Sequence, residues 1–452
     1  MKIIIAGGGV VGRSVASLLT EEGHDITIID RNAETVRQIA DEIDVFCVQG
    51  SATNPEVLRE AGIEGADLLL AATQTDEVNM LCGVSGRRLG AAKVIARIRD
   101  PEYMNQTDFL RETLGLDLIV NPELECAREI SRILRFPGAA HVDVFSRGRL
   151  ELAEQRIPEG SRLDGLMLKE IPTLFKGRIL IGVVERDGEV WIPRGDFVLH
   201  SGDRIHVTGE EKELRRFFTD SGKTGRAARR AMIMGGGRIA VYLARRLKES
   251  GIEATLIEID RERCERICNM LPGTRVICGD ATYGDVLQEN GLGSTDAFVA
   301  LTGDDGDNIT TSMYARSCGV PTVVLMVNRG QFTGILEKAG LDSVVAPKEL
   351  LAQQMVRYVR ALNHGRGSCM ESLYRIADGK AEAAEFCIGK DSRCVGVPLK
   401  DLKLKPNVLV AGIIRDGHSM IPDGNTVIQS GDHVIIIAGA DKLQTVERIL
   451  RD

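Results

Sequence analysis

The sequence predicts an α/β protein made of two tandem parallel-sheet domains, each followed by a small α+β lobe. Three observations lead to this fold class. Short apolar runs alternate with helical patterns, a glycine-rich turn joins the first run of each half to a helix, and this arrangement occurs twice along the 452 residues. Alternating strands and helices form parallel sheets, because each parallel strand needs a crossover connection to the next one.

The early part of the first half shows this alternation. Its apolar runs and helical patterns are, in chain order, residues 2–5, 10–22, 25–29, 33–42, 45–48, 54–61, 68–72 and 94–98. After about residue 137, and again after about residue 365, the pattern changes to short strands separated by Gly, Pro and Asp-Gly turns. Such turns favour small, β-rich lobes.

The chain is an internal duplication with a register of about 229 residues. Asn79 matches Asn308 at this spacing, Arg186 matches Arg415, and the glycine-rich turns match at nearly the same spacing. A constant register over a whole half indicates that the two halves share one fold.

The duplication sets the expected domain boundaries. The basic, glycine-containing stretch between the halves is interpreted as a solvated linker, or alternatively as a surface for anionic lipid or an acidic partner. The expected order is a parallel-sheet domain at 1–136, its lobe at 137–220, the linker at 221–230, a second parallel-sheet domain at 231–364 and its lobe at 365–452.

Composition argues against several classes of protein. A formal net charge of -8 disfavours nucleic-acid binding, which needs a basic surface to neutralise phosphates. No run approaches the roughly 18 apolar residues of a spanning helix, and the N-terminus lacks a secretory-signal pattern, so we expect a cytosolic protein. The ten cysteines contain no CxxC pair and the seven histidines no HxxxH or HExxH pair, so we predict no metal site.

A phosphate-binding turn is predicted near the N-terminus. Gly7-x-Gly9-x-x-Gly12 follows a strand and opens a helix, which is the context that gives this motif its meaning. Gly7 permits the tight turn, Gly9 lets a pyrophosphate approach the backbone, and Gly12 allows close packing of helix on sheet. Asp30 ends the second predicted strand, where a carboxylate binds a ribose 2′-OH and repels a 2′-phosphate. A Rossmann-type domain that prefers NAD(H) to NADP(H) is therefore expected.

The second half repeats this turn with changes. Gly235-x-Gly237-x-x-Ala240 is followed by Glu258, and alanine is an accepted third residue of the motif. The acid and the turn thus have counterparts in both halves.

Two arginines differ between the halves. Arg97 and Arg99 follow a predicted strand and are positioned to reach a phosphate, whereas their register equivalents, Met326 and Asn328, carry no charge. We therefore expect the second half to bind dinucleotide more weakly, to bind a different nucleotide, or to bind none.

The order of these motifs, together with 50–53, 72–73 and 96–101, resembles the TrkA family of the Trk potassium uptake system over essentially the full chain. In that family each half is an RCK, or KTN, domain with a Rossmann N-lobe and a C-terminal lobe, and tetramers form a ring beneath a membrane potassium channel or transporter dimer. The resemblance implies a non-enzymatic regulatory subunit on the inner face of the plasma membrane, a membrane partner of the TrkH/TrkG type, and NAD(H), or alternatively ATP or ADP, as ligand.

The resemblance also implies site residues. In the first half the residues expected around the phosphates are Gly7, Gly9, Val10, Val11, Gly12 and Arg97. Asp30 is expected on the ribose and Thr73 at the floor of the cleft. The residues expected near the adenine are Ser51, Ala52 and Thr53. A weaker second site would use Gly235, Gly237, Ala240, Glu258, Asp280, Ala281 and Thr282. Ser51 departs from the usual Gly-Asp-Ala-Thr, which the second half keeps with Asp280.

Two other classes of function remain as alternatives. An NAD-dependent oxidoreductase would need an acid or base beside the nicotinamide, and His141 and His200 are the candidates in the first lobe. A purely structural assembly module would not need an intact dinucleotide motif.

Overall fold

The structure is a computed structural model. It describes residues 1–104, 106–136, 139–146, 149–175, 177–221, 228–328, 335–336, 339–341, 343–363, 369–377, 379–439, 443 and 445–451.

The first half begins with a six-stranded parallel sheet, as the alternation of apolar runs predicts. Its strands are ordered β3-β2-β1-β4-β5-β6, so the strand order reverses at β1 and β4. Helices cover both faces, which explains the continuous apolar runs of the central strands. The elements are β1 (Lys2–Ala6), α1 (Val10–Glu21), β2 (Asp25–Asp30), α2 (Ala33–Glu42), β3 (Phe46–Gln49), α3 (Pro55–Glu60), β4 (Leu68–Ala71), α4 (Asp76–Leu89), β5 (Val94–Arg97), α5 (Pro101–Met104), α6 (Thr107–Leu114), β6 (Leu118–Val120) and α7 (Pro122–Arg135).

A five-stranded antiparallel lobe follows, ordered β10-β9-β11-β8-β7. Helix α9 supplies Phe217 and Phe218 to its buried core. The elements are β7 (Ala139–Phe145), β8 (Leu150–Arg156), α8 (Ile171–Leu174), β9 (Ile179–Arg186), β10 (Glu189–Trp191), β11 (Arg204–Gly209) and α9 (Glu211–Asp220).

The second half repeats both sheets, which confirms the predicted duplication. Its parallel sheet is ordered β14-β13-β12-β15-β16-β17 and its antiparallel sheet β18-β19-β22-β20-β21. The elements are β12 (Arg230–Met234), α10 (Arg238–Glu249), β13 (Glu253–Glu258), α11 (Arg261–Met270), β14 (Arg275–Cys278), α12 (Gly284–Glu289), β15 (Ala297–Ala300), α13 (Asp305–Ser317), β16 (Thr322–Met326), β17 (Ser343–Val345), α14 (Pro347–Asn363), β18 (Cys369–Ile376), β19 (Ala381–Cys387), β20 (Val408–Arg415), β21 (His418–Met420) and β22 (His433–Ala438).

Equivalent ion pairs between a half-buried arginine and a buried aspartate occur at matching positions of the two lobes. Arg186 donates to both carboxylate oxygens of Asp203 at 2.6 and 2.7 Å, and Arg415 donates to both oxygens of Asp432 at 2.8 and 2.7 Å. Both aspartates are buried. Two hydrogen bonds from one guanidinium group to one carboxylate make a strong ion pair. Each β-rich lobe is therefore stabilised by the same arginine–aspartate contact.

The chain divides into two compact units. The first contains Met1–Cys126 and Ala346–Val356, and the second contains Ala127–Val345 and Arg357–Asp452. Helix α14 therefore begins in the first unit, although its sequence belongs to the second half. Of the predicted linker, residues 222–227 lie outside the described residues. Every helix that the structure describes is too short or too polar to cross a bilayer.

Candidate nucleotide-binding cleft

A cleft of about 570 Å³ lies at the carboxyl ends of the strands in the first unit. Open α/β sheets bind ligands at this edge, where the strand order reverses. Of the predicted residues, the wall of the cleft includes Gly7, Gly9, Val10, Val11, Asp30, Ala52, Thr73 and Arg97. Gly12, Ser51 and Thr53 lie next to these wall residues in the chain.

The glycine-rich turn has the steric requirements that the motif implies. Gly7 has a φ of +110°, and a Cβ atom there would lie 2.6 Å from the carbonyl oxygen of Ala72. A Cβ on Gly12 would lie 1.9 Å from the carbonyl oxygen of Gly7. Gly9 differs, because a Cβ there meets no atom of the described residues within 4 Å. Protein packing therefore does not require glycine at this position, whereas a phosphate approaching the backbone would.

Helix α1 directs its N-terminus into the cleft. Gly9 is the N-cap residue, no described side chain caps the helix, and its first turn contains no acidic residue. The first N–H groups of a helix carry partial positive charge and bind anions. The absence of a competing carboxylate in this turn leaves that charge available to a phosphate.

Asp30 is held in place by the turn that it faces. Its carboxylate accepts hydrogen bonds from the main-chain N–H groups of Gly8 at 2.7 Å and Asn32 at 2.8 Å. A carboxylate has about four lone-pair positions, so it retains capacity to accept hydrogen bonds from ribose hydroxyls.

Glu258 occupies the corresponding place in the second half but is more fully engaged. It accepts from Gly236 at 2.7 Å and from Asp260 at 2.8 Å, and Arg263 approaches the same carboxylate to 3.2 Å. Its side chain is only 3% exposed. Burial and the added ion pair leave less of this carboxylate for a ligand.

Ser51 contacts a cation that none of the predicted motifs includes. Arg31 donates from Nη2 to the hydroxyl of Ser51 at 2.7 Å, and this hydroxyl lies 2.8 Å from that of Thr53. Arg31 also forms part of the cleft wall. Its position next to Asp30 in the chain is the available signal, since an arginine there can accommodate a 2′-phosphate.

Asp280 and Thr282 form a local turn at the equivalent position of the second half. The carboxylate of Asp280 accepts from the main-chain N–H and the hydroxyl of Thr282, at 2.9 and 2.7 Å. Ala281 between them is buried, as is Ala240 in helix α10. Gly235 keeps a φ of +95°, and a Cβ on Gly237 would meet no described atom within 4 Å, so the second turn preserves the shape of the first.

The two candidate arginines have different surroundings. Arg97 lines the cleft and donates to the carbonyl oxygen of Thr73. Arg99 instead lies 3.6 Å from a carboxylate oxygen of Asp76 and 3.8 Å from one of Glu123. Arg97 therefore belongs to the wall of the cleft, whereas Arg99 is paired with carboxylates.

Lys348 is a further cation in the wall of the cleft. It lies in the first turn of helix α14 and belongs to the segment Ala346–Val356 of the first unit. No spacing within the first half points to this residue, because it comes from the other half of the chain.

The two histidines weighed as catalytic groups are paired with carboxylates. His141 lies 2.8 Å from Glu129 and 3.1 Å from Asp143, and His200 lies 3.9 Å from Asp164. Burial lowers the pKa of His141, but the two carboxylates outweigh this effect and raise the pKa well above its ordinary value. Such a histidine stays protonated, which suits an ion pair better than a general base.

Family models match the chain in duplicate, over the two parallel-sheet regions and the two lobes. The TrkA-N domain matches residues 3–122 and 231–347, and the TrkA-C domain matches residues 152–220 and 383–451. A Trk system potassium uptake protein TrkA homolog of Archaeoglobus fulgidus is 32% identical over 451 residues, covering 100% of both chains. The Trk system potassium uptake protein TrkA of Vibrio alginolyticus is 31% identical and covers 96% of this chain and 95% of its own.

Solved structures show the same fold. The GsuK channel bound to NAD matches with a TM-score of 0.65 at 20% identity, covering 97% of this chain and 77% of that one. GsuK bound to ADP matches with a TM-score of 0.50 at 18% identity, covering 79% and 69%. With two copies of each domain in order and full-length relatives above 30% identity, the chain belongs to the TrkA family of Trk-system potassium uptake proteins.

Proposed function

We propose that this chain is a nucleotide-sensing regulatory subunit that gates a membrane potassium uptake channel or transporter. The observation that carries the proposal is the cleft of the first unit, where the N-terminus of α1, Arg97 and Lys348 present positive charge close to Asp30. Positive groups close to an acid that can accept hydrogen bonds from a ribose match an adenine nucleotide or dinucleotide.

NAD(H) is the ligand that we assign to this cleft, with ADP or ATP as alternatives. The relative of known structure is named as bound to NAD in one case and to ADP in another. Both ligands share an adenosine with a pyrophosphate, and this shared part fits the turn, Asp30 and the cations. The second half keeps the turn but has Met326 where the first has Arg97, so its site is proposed to be the weaker one.

Gating requires differential binding and no chemistry. A ligand that binds one arrangement of the subunit more tightly shifts the population toward that arrangement. A coupling free energy of about 1–3 kcal/mol changes an equilibrium roughly 5- to 150-fold. The proposal includes assembly as a homotetrameric ring on the cytoplasmic face of a TrkH/TrkG-type membrane subunit, in keeping with the Trk-system names of the relatives.

Potassium uptake in cells that carry the membrane subunit tests the proposal. The chain is supplied as wild type or with Gly9→Ala plus Asp30→Ala, and Gly237→Ala serves as the matched control because neither glycine substitution meets a described atom. We expect the double variant to lose the response of uptake to nucleotide and the control to keep most of it. Equal uptake and equal nucleotide response with wild type and double variant would refute the proposal.

A further inference from the structure

Three side chains of metal-ligand type meet on the last antiparallel sheet. Glu371 comes from β18, Cys387 from β19 and His433 from β22, and their carboxylate oxygen, sulfur and imidazole nitrogen all lie within 4.8 Å of one another. The Nδ1 atom of His433 lies 2.9 Å from the carboxylate of Glu371. The cluster has no part in the nucleotide cleft described above.

The sheet itself brings these residues together. Cys387 and His433 are direct partners in the antiparallel pairing of β19 with β22, and directly opposed residues share one face of a sheet. Glu371 falls at the irregularity between Met370 and Ser372 in the pairing of β18 with β19. Bulges of this kind redirect a side chain. The convergence therefore follows from strand register, which the spacing of cysteines and histidines in the sequence does not reveal.

A buried carboxylate lies behind the histidine. Oε1 of Glu385 lies 3.2 Å from Nδ1 of His433, and the residue is only 2% exposed. Glu385 is itself oriented by the main-chain N–H of Ser146 at 3.0 Å and by the hydroxyl of Ser372 at 3.3 Å. Glu371 and Glu385 approach the same nitrogen of His433, so Glu385 adds a buried negative charge next to the position that a cation would occupy.

We propose that Glu371, Cys387 and His433 bind a transition-metal dication, with Zn²⁺ as the best match. Zn²⁺ takes sulfur, imidazole nitrogen and carboxylate oxygen together, whereas Ca²⁺ and Mg²⁺ require oxygen ligands. Three protein ligands leave a fourth tetrahedral position for water. Binding releases the proton of the Cys387 thiol to solvent, because the thiolate is the form that ligates.

The first lobe shows what the same position looks like without such a site. Arg204 of the first lobe corresponds to His433 of the second. Its partner across the strands is Arg156, where His433 has Cys387. Arg204 also lies 3.2 Å from the carboxylate of Glu154, as His433 lies 3.2 Å from that of Glu385. Two guanidinium groups stand where the second lobe has an imidazole and a thiol. Guanidinium groups repel a metal cation, so the site is specific to the second lobe.

Metal binding should stabilise a contact between the two lobes. Glu385 belongs to the second lobe and Ser146 to the first, and the hydroxyl of Tyr374 donates to the carbonyl oxygen of Val144 at 2.7 Å beside them. A metal that immobilises His433 and Glu371 stabilises the carboxylate on which the Ser146 contact depends. Since a ligand that binds only the folded state raises its stability, Zn²⁺ is expected to raise the melting temperature of the full chain.

The experiment uses the full chain freed of metal by chelation. Zn²⁺ is titrated calorimetrically, and Co²⁺ is titrated while the thiolate-to-cobalt charge-transfer absorption is recorded. Cys387→Ala and His433→Arg, which restores the residue type of the first lobe, should abolish tight Zn²⁺ binding and the charge-transfer band. Glu385→Gln, which removes the buried negative charge beside the site, should weaken Zn²⁺ binding by about 10- to 100-fold.

Cys278→Ala is the matched control, because Cys278 is an exposed cysteine of the same half on a different sheet. It should leave Zn²⁺ affinity and the cobalt spectrum unchanged. Circular dichroism and melting temperature of each metal-free variant report whether it folds as the wild type does. Zn²⁺ binding that survives Cys387→Ala and His433→Arg in folded protein, or that Cys278→Ala removes, would overturn the proposal, as would a wild-type chain that gives no thiolate-to-cobalt band.

Discussion

The side-chain amide of Asn79 donates a hydrogen bond of 2.8 Å to the carbonyl oxygen of Arg97. The other end of the same amide accepts from the main-chain N–H of Thr73 at 2.7 Å and from its hydroxyl at 2.6 Å. Asn79 is fully buried. One side chain thus fixes the carboxyl ends of β4 and β5, from which Thr73 and Arg97 face the cleft. Asn308 repeats the arrangement, with Thr302 at 2.9 Å and Met326 at 3.0 Å.

Replacing Asn79 with alanine should lower the free energy of unfolding by about 1–3 kcal/mol, because it leaves buried main-chain groups without a partner. Asn308→Ala should cost about the same. The two variants should differ in NAD(H) affinity, which Asn79→Ala weakens and Asn308→Ala leaves nearly unchanged. Urea unfolding and calorimetry measure both effects. Equal loss of affinity in the two variants would contradict the assignment of the main site to the first half.

Much of the fold could be predicted because the duplication presents each pattern twice. The constant register alone equates Asn79 with Asn308, and the parallel sheets follow from periodicity. The role of Asn79 could not be predicted, since it depends on two strands that approach each other only in the folded sheet. Lys348 could not be predicted for a related reason: the division of helix α14 between the two compact units has no local signal in the sequence.

Gly9→Ala should reduce NAD(H) binding far more than Gly237→Ala. Neither new methyl group meets a described atom within 4 Å, so both variants should keep nearly wild-type stability. A difference in NAD(H) affinity between the two variants would then reflect contact with the ligand and not a change in the fold. The reason is that a methyl group on Gly9 obstructs the approach of a pyrophosphate to the backbone. Calorimetric titration with NADH measures the affinity of each variant, and thermal melting measures its stability. A stronger effect of Gly237→Ala would reverse the assignment.

Asp30→Ala should narrow the preference for NAD(H) over NADP(H). The substitution removes the carboxylate that repels a 2′-phosphate and leaves Arg31, which lies in the cleft wall. NADP(H) affinity should therefore rise while NAD(H) affinity falls. Arg31→Ala added to Asp30→Ala should cancel the gain for NADP(H). Competition titrations with both cofactors measure this, and a wild-type chain that binds the two equally well would refute the role given to Asp30.

Glu151→Gln should stabilise the protein above neutral pH. Glu151 is buried, and burial, with the charge of Glu211, raises its pKa from 4.5 to about 7. A carboxyl whose folded-state pKa is raised loses its contribution to stability as pH rises from about 4.5 through 7. Glutamine avoids this loss, so its advantage should be roughly 1–3 kcal/mol at about pH 8 and vanish near pH 4.5. Urea unfolding across this pH range measures the difference in the free energy of unfolding, with Glu60→Gln at an exposed position as the control. A difference between wild type and Glu151→Gln that does not vary with pH would contradict the raised pKa of Glu151.

Lys348→Ala should weaken nucleotide binding in the first half, although the residue belongs to the second. Lys348 shares the cleft wall with Arg97, and removing one of the cations of this wall should weaken binding of a phosphate through an electrostatic attraction that salt screens. We therefore expect a clear loss at low ionic strength that shrinks as salt is added. Lys348→Arg, which keeps the charge, should restore most of the binding. The exposed Lys212 on helix α9 provides a control, since Lys212→Ala removes the same charge from another part of the chain.

Helix α14 begins in the first unit and continues into the second. A phosphate that attracts Lys348 therefore acts on a helix that belongs to both units. For this reason Lys348→Ala should reduce the response of potassium uptake to nucleotide even at saturating ligand. Unchanged affinity at low salt in Lys348→Ala, or an equal loss in Lys212→Ala, would remove Lys348 from the binding site.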